Sequence, residues 1–232
     1  MTSNANKTAT PDNKAASTDK VASENQRIRL RFAKQGDLRL VSHRDMVRAF
    51  ERMFRRVGVS LAMSEGFHPR PKMTFPDALS LGVAASDEVM DITLAERVEP
   101  EDFKERLNRT CPEGLVIHTV QLLGEGDRKA RIDRVVYELD LGADTDQTAL
   151  QHAIDELANR ETLVVDRKGK QIEIDLKQTL DRLWLDDGRL MMSIRVVQQS
   201  QLQPRDILSH IGLPDFIRDG GVLTRTRIEL TP

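Results

Sequence analysis

The order in which strand-like and helix-like patterns follow one another is the feature that most limits how this chain can fold. Alternating apolar residues indicate strands, apolar residues three or four positions apart indicate helices, and the chain makes two similar passes through both. The first pass predicts strands or extended segments and two helices, at 27–33, 42–57 (helix), 59–64, 71–75, 88–95, 100–109 (helix) and 115–123. The second predicts, in order, 132–142, 146–159 (helix), 161–167, 170–176, 181–185, 189–197, 204–211 (helix) and 222–230.

This order predicts an α+β fold with two ferredoxin-like βαββαβ modules in tandem, over residues 27–123 and 132–230. A charged, glycine-containing stretch at 124–131 would join them. The second helix of each pass opens alike, with Pro-Glu-Asp-Phe at 100–103 and Pro-Arg-Asp-Ile at 204–207, which suggests a duplication. The alternative is one continuous α+β domain that contains the same elements.

Residues 1–26 lack leucine, isoleucine and every aromatic residue. Such a stretch cannot bury enough apolar surface to offset its ordering entropy, so we expect a disordered tail. An organelle presequence is the alternative, and the absence of arginine together with the presence of three acidic residues speaks against it.

Several protein classes are disfavoured by composition. The single cysteine, Cys111, cannot form an internal disulfide or hold an iron–sulfur cluster, and no histidine spacing is typical of a metal site. There is no apolar run of membrane-spanning length and no secretory signal pattern. No nucleotide-binding glycine motif occurs. We therefore expect a cytoplasmic protein without cofactor, metal or membrane partner.

Charge is divided unequally along the chain. The net charge is −2, but residues 27–75 carry a net charge of +8 and residues 76–232 a net charge of −10. The near-neutral total is thus a cancellation between a basic region at 27–75 and the acidic remainder of the chain. A basic region of this kind can attract a polyanion even though the whole chain is mildly acidic.

The helix at 42–57 separates two faces. Its apolar residues lie on one side, and the other side carries an arginine face that consists of Arg44, Arg48, Arg52, Arg55 and Arg56. The planar guanidinium fork suits phosphate better than the ammonium group of lysine does. These residues are therefore predicted to contact phosphate or nucleic acid, the alternative being an ordinary solvated helix face.

Further arginines alternate with apolar residues on predicted strands. They are Arg27, Arg29 and Arg31 on the first strand and Arg225 and Arg227 on the last. In a ferredoxin-like sheet one face is covered by helices, so these side chains are expected to project from the open face. No aromatic residue accompanies them there, and contact with RNA would be mostly electrostatic.

The segment at 64–75 contains two prolines, which stiffen an extended path, and three potential donors, His68, Arg70 and Lys72. Phe67 could offer a stacking surface there. One hypothesis is a rigid loop that presents these groups to RNA. The other is a structural excursion in which Phe67 and Phe75 are buried and the bases are solvated.

The motifs Arg29-Leu30-Arg31-Phe32-Ala33-Lys34, Ser42-His43-Arg44-Asp45 and Ser64-Glu65-Gly66-Phe67-His68-Pro69-Arg70-Pro71-Lys72 resemble the radical SAM-linked protein family, over roughly residues 27–230. This is a domain of unknown function that is found alone or fused to the C-terminal end of radical SAM proteins. The resemblance implies a radical SAM partner and carries over no catalytic residue. Because the chain lacks the cysteines for a cluster, any radical chemistry would reside in that separate partner.

The resulting hypothesis is an accessory protein that binds RNA or positions substrate for a separate radical SAM enzyme. Two alternatives stay open at this stage. One is a metal-independent endoribonuclease of the CRISPR repeat-processing type, in which His43 or His68 would act as acid or base. The other is a protein–protein adaptor. Whether the chain is an enzyme is not decided by its sequence, although the missing cluster motif and metal site favour a non-catalytic role.

Overall fold

The computed structural model describes Met1, residues 25–197 and residues 202–232. The tail predicted over residues 1–26 lies almost entirely outside the described residues. The strands are β1 Gln26–Lys34, β2 Met73–Thr74, β3 Ala84–Leu94, β4 Leu115–Leu123, β5 Ile132–Asp140, β6 Thr162–Arg167, β7 Lys170–Asp175, β8 Leu180–Asp186, β9 Arg189–Arg195 and β10 Leu223–Leu230. The α-helices are α1 His43–Arg56, α2 Pro100–Thr110, α3 Gln147–Ala158, α4 Leu176–Thr179 and α5 Pro204–His210.

The predicted elements correspond closely to those in the structure, because most of them combine a clear period with a clear end signal. Two short elements were not predicted, a 3-10 helix at Gly36–Leu40 and the four-residue helix α4. Neither is long enough to display a period. The extended segment predicted at 59–64 forms only isolated bridges, from Leu61 to Leu94 and from Met63 to Pro71.

The protein has a mixed α+β fold with a mostly antiparallel sheet, as the sequence predicts at the level of fold class. One eight-stranded sheet runs in the order β4-β1-β3-β10-β5-β9-β8, with β2 paired to β3, and β6 and β7 form a separate hairpin. The two halves of the chain meet where β10 runs parallel to β3, through the pairs Thr224–Ala84 and Arg225–Ala85. Both halves therefore contribute to a single sheet.

Two hydrophobic cores lie along this sheet. In the first, Ile28, Leu30 and Phe32 of β1 pack with buried residues of α1 and α2, including Phe50 and Phe103. The second is built by β5, β9, β10, α3, α5 and the β6–β7 hairpin. Burial of each large apolar side chain contributes roughly 1.5–3 kcal/mol, so each half has its own source of stability.

None of the helices in the described residues is both long enough and apolar enough to cross a membrane.

Candidate functional site

Helix α1 begins at a capped end and packs one face firmly. The hydroxyl of Ser42 accepts the backbone N–H of Asp45 at 3.2 Å, and it donates to the Asp45 carboxylate at 2.7 Å. Burial of Met46, Phe50, Met53 and Phe54 fixes which side faces the core. The rings of Phe50 and Phe32 meet edge-on with centroids 5.1 Å apart. The opposite side of α1 is therefore turned outward.

The arginine face of α1 is exposed along its whole length, as the periodicity predicts. Arg48 lies 3.4 Å from the Asp45 carboxylate. In the described part of the chain, no ion pair or hydrogen bond engages the guanidinium groups of the other four members. The hydrogen bond from Ser42, with the charges of Arg48 and Arg44, lowers the pKa of Asp45. Four exposed guanidinium groups on one helix face thus have no ion-pair partner among the described residues.

The three arginines of β1 are engaged within the protein instead of projecting freely. Arg29 forms two hydrogen bonds with Asp91, at 2.8 and 3.0 Å, and Arg31 binds Asp87 at 2.6 Å. The hydrogen bonds with Asp91 raise the pKa of Arg29. The expectation that these side chains project freely is therefore wrong, because acidic residues of β3 engage Arg29 and Arg31 and backbone carbonyls engage Arg27.

The stretch at 124–131 covers part of the same sheet face. Arg27 donates to the carbonyl of Asp127 at 2.9 Å and Arg29 donates to the carbonyl of Arg128 at 2.9 Å. The backbone N–H of Ala130 donates to the Asp91 carboxylate at 2.7 Å. Arg27 and Arg29 thus hold the connection between the halves against the sheet, which is a structural role.

The two arginines of β10 differ from each other. Arg225 is only 1% exposed, so its predicted place on an open face is wrong. It forms a bidentate ion pair with Glu88, at 2.6 and 2.8 Å, and a third bond with Asp77 at 2.6 Å. Burial opposes its charge, but Glu88 outweighs this effect and the pKa of Arg225 is raised. Arg227 is exposed and lies 3.7 Å from Glu229.

Residues 62–72 form a hairpin whose base is held by backbone hydrogen bonds. Lys72 donates to the carbonyl of Ala62 at 2.8 Å, and Ser64 donates to the carbonyl of Arg70 at 2.8 Å. His68, Arg70 and Lys72 are exposed, as both hypotheses for this segment require. The burial expected by one of them is wrong for Phe67, which is fully exposed.

The hairpin and the arginine face border the same groove. Its volume is about 470 Å³, and it is lined by Phe54 and Arg55 of α1 and by Met63 and Pro71 of the hairpin, with Glu51 at the helix side. Arg55, near the C-terminal end of the arginine face, and the base of the hairpin therefore line one groove.

A buried polar cluster lies at the junction of the halves, and it is not among the sequence predictions. It contains the buried residues Arg225, Glu88 and Lys34, and the partly exposed Asp77 is bonded to Arg225. The ammonium of Lys34 donates to the carbonyl of Val41 at 2.9 Å. Burial lowers the pKa of Lys34. A cavity of about 350 Å³ adjoins Arg225 and Asp77. One signal was present: Glu88 shares its strand face with Met90, Ile92 and Leu94, so its carboxylate had to point toward the core.

His43 and His68, the two histidines considered as acid or base, lie on different elements. His43 stands at the start of α1 with its ring 4.9 Å from that of Phe75, whereas His68 lies in the exposed hairpin. Burial raises the pKa of Cys111 to about 11, so its thiol is poorly nucleophilic. Within the described ranges, no three histidine, cysteine or acidic residues are grouped to hold a metal ion.

Fold and surface together define a mixed α+β protein with one exposed arginine-rich helix face beside a hairpin. The chain belongs to the family DUF2344, described as an uncharacterized protein conserved in bacteria, whose family model matches residues 27–204. No curated protein matches the chain. One similar solved structure, the crystal structure of an unknown protein from Galdieria sulphuraria, is 10% identical, covering 90% of this chain and 100% of that one with a TM-score of 0.29.

Proposed function

We propose that this protein is a non-catalytic accessory subunit that binds RNA through the arginine face of α1. The observation that supports it is the placement of five exposed arginines on one helix face, of which only Arg48 has an ion-pair partner among the described residues. Like charges at this spacing repel one another and weaken the helix, whereas phosphate groups would remove that repulsion. The arginines of β1 show the contrast, because each of them is satisfied within the protein.

The charge distribution supports the same function. The basic region from residue 27 to 75 contains α1 and the hairpin, and the remainder of the folded chain is acidic. Because Arg29 and Arg31 of this region are already paired with Asp91 and Asp87, a polyanion would be attracted mainly to α1 and the hairpin.

We further propose that the RNA is presented to a separate radical SAM enzyme. This part rests on the resemblance of the motifs at 42–45 and 64–72 to the radical SAM-linked family. It is tested by purification of the tagged protein from its native cell extract with and without nuclease. Co-purification of a radical SAM protein would support the partnership, and its absence from both samples would contradict it.

The strand order supports a ferredoxin-like description of each half. The first half runs β4-β1-β3 with β2 on the far edge of β3, and the second runs β10-β5-β9-β8. The four sheet strands of each half can be numbered 1 to 4 in chain order, leaving out the β6–β7 hairpin. Both halves then have the strand order 4-1-3-2. We propose that the fold consists of two such units fused into one sheet.

RNA binding is tested by charge reversal on the arginine face. Arg48→Glu/Arg52→Glu takes away two of the arginines that would neutralise phosphates, so we expect weaker binding of a labelled single-stranded RNA and a flatter dependence on salt. For single strands, the slope of log K against log salt changes by about 0.7 for each phosphate that is no longer neutralised. Fluorescence anisotropy at several salt concentrations measures both quantities.

The matched control is Arg160→Glu/Arg218→Glu, which changes net charge equally at two exposed positions of the second half. Affinity and slope should stay close to those of the parent protein. If both double variants weaken binding equally, the effect is one of net charge and the arginine face is not the binding site.

A further inference from the structure

The hairpin at 62–72 is a stiff support that carries Phe67 at its tip. Besides its own backbone bonds, the Ser64 hydroxyl accepts the N–H of Arg70 at 2.9 Å. The hairpin is also fastened to β3, since the N–H of Ala62 donates to the carbonyl of Thr93 at 2.8 Å and the N–H of Thr93 donates to the carbonyl of Lys72 at 2.9 Å. Its tip turns at Gly66, whose φ of 116° is rarely adopted by residues with a side chain.

Phe67 at this tip differs from the other phenylalanines of the protein. Its exposure of 101% means that the whole ring is in water. By contrast, Phe32, Phe50, Phe54 and Phe103 are buried, and Phe75 is half-buried beside His43. Exposure of a complete aromatic ring on a rigid turn has an unfavourable hydration free energy that no contact within the described residues offsets.

Basic residues lie near Phe67. Arg70 and Lys72 follow it on the same hairpin, where Glu65 precedes it, and the groove at the hairpin base is lined by Arg55 of the arginine face and by Glu51. An aromatic ring beside backbone-binding cations is the arrangement by which proteins hold unpaired nucleotides, because the base stacks on the ring while phosphates meet the cations. Duplex RNA keeps its bases stacked inside the helix and would use the cations alone.

Resting on the proposed RNA-binding function, we propose that Phe67 stacks on an unpaired base, so that the ligand class is single-stranded RNA or a loop. The phosphate chain would lie on the arginine face and an adjacent base would reach the hairpin tip. The contribution of Phe67 to RNA affinity then depends on its aromatic face and not on charge. Experiments can therefore separate it from the contribution of the arginines to the same affinity.

The test compares Phe67→Ala, Phe67→Leu and Phe67→Trp in binding to a short single-stranded RNA and to the duplex of the same sequence. We expect Phe67→Ala and Phe67→Leu to bind the single strand about five- to a hundredfold more weakly, with an unchanged salt slope. Phe67→Trp should retain affinity, and duplex binding should be the same for all. Because Phe67 is fully exposed, none of the variants should alter thermal unfolding, which serves as the folding control.

Four results would overturn this inference. If Phe67→Ala binds the single strand as the parent does while Arg48→Glu/Arg52→Glu binds weakly, the stacking role fails and the proposed function stands. If Phe67→Leu keeps full affinity, the contact is merely apolar. If duplex binding falls equally, the tip does not recognise unpaired bases. If the parent protein binds no RNA and instead retains an acidic protein, the proposed function and this inference fail together.

Discussion

Asp181 on β8 is the acceptor for three side chains from neighbouring strands. Arg134 donates to it at 2.7 Å, Ser193 donates at 3.0 Å, and Arg195 forms a further ion pair. Desolvation favours the protonated form, but the hydrogen bonds and the two positive charges outweigh it and lower the pKa of Asp181. The charged carboxylate is thus stabilised more in the folded than in the unfolded chain.

The consequence is a stability contribution that depends on pH. An acid whose pKa is lower in the folded state stabilises the fold above its unfolded pKa, near 4, and the contribution is lost as pH falls through the folded value. We expect Asp181→Asn to lower the free energy of unfolding by about 1 kcal/mol at neutral pH. Below about pH 4 the difference should shrink, which urea titrations across pH measure. A difference independent of pH would contradict the ion-pair explanation.

At the scale of elements, α1 carries the candidate interface because one of its faces packs in the core and the other is exposed. The buried side anchors the helix to β1 and α2, so the position of the exposed side is set by core packing. Its beginning depends on Ser42, whose hydroxyl satisfies one of the backbone donors that a helix start leaves unpaired.

Removal of that cap should destabilise α1 without touching the arginine face. We expect Ser42→Ala to reduce the free energy of unfolding by about 1 kcal/mol, a typical effect for loss of an N-cap side chain. Ser42→Thr, which keeps a hydroxyl that can accept the Asp45 N–H and donate to the Asp45 carboxylate, should recover most of the loss. Chemical denaturation followed by circular dichroism gives the values. Equal stability of Ser42→Ala and the parent protein would show that the cap is not needed.

The elements themselves were largely predictable from the sequence, since period and end signals are local. Helix α1 shows both signals and was predicted within one residue at each end. The hairpin at 62–72 shows neither, because prolines remove the alternation, and two opposed hypotheses fitted it equally. Exposure of Phe67 follows from how the hairpin base is fastened to β3, which no local pattern encodes.

At the scale of the molecule, a short stretch of backbone pairing, a buried ion pair and further hydrogen bonds to β10 join the two halves. Two residue pairs of the ladder connect β10 to β3, and Arg225 of β10 meets Glu88 of β3 at the same point. The N–H of Ile228 in β10 also donates to the carboxylate of Asp87 in β3 at 3.0 Å. Asp77 adds a loop of the first half to the cluster. The Arg225–Glu88 ion pair therefore helps to hold one half in position against the other.

Breaking this pair should affect the whole fold. Arg225→Ala leaves Glu88 buried without a partner, and we expect the free energy of unfolding to fall by about 3–5 kcal/mol. Arg225→Met/Glu88→Leu removes both charges and should recover most of that loss, because apolar side chains of similar size can replace a buried ion pair. Urea unfolding measures all three proteins. A loss below about 1 kcal/mol for Arg225→Ala would contradict this role.

The sequence alone determined the α+β class, the order of the elements, the polarity of charge along the chain and the arginine face of α1. Each of these depends on residues that are near one another in the chain. The tertiary structure decided which arginines are available to a ligand. Arg225 finds Glu88 from 137 residues away, and Arg31 reaches the carbonyl of Ile228 across 197. Strand order and register in the assembled sheet determine such partners. The periodicity of a single strand is the same whether its arginines are paired or unpaired, so it does not predict their partners.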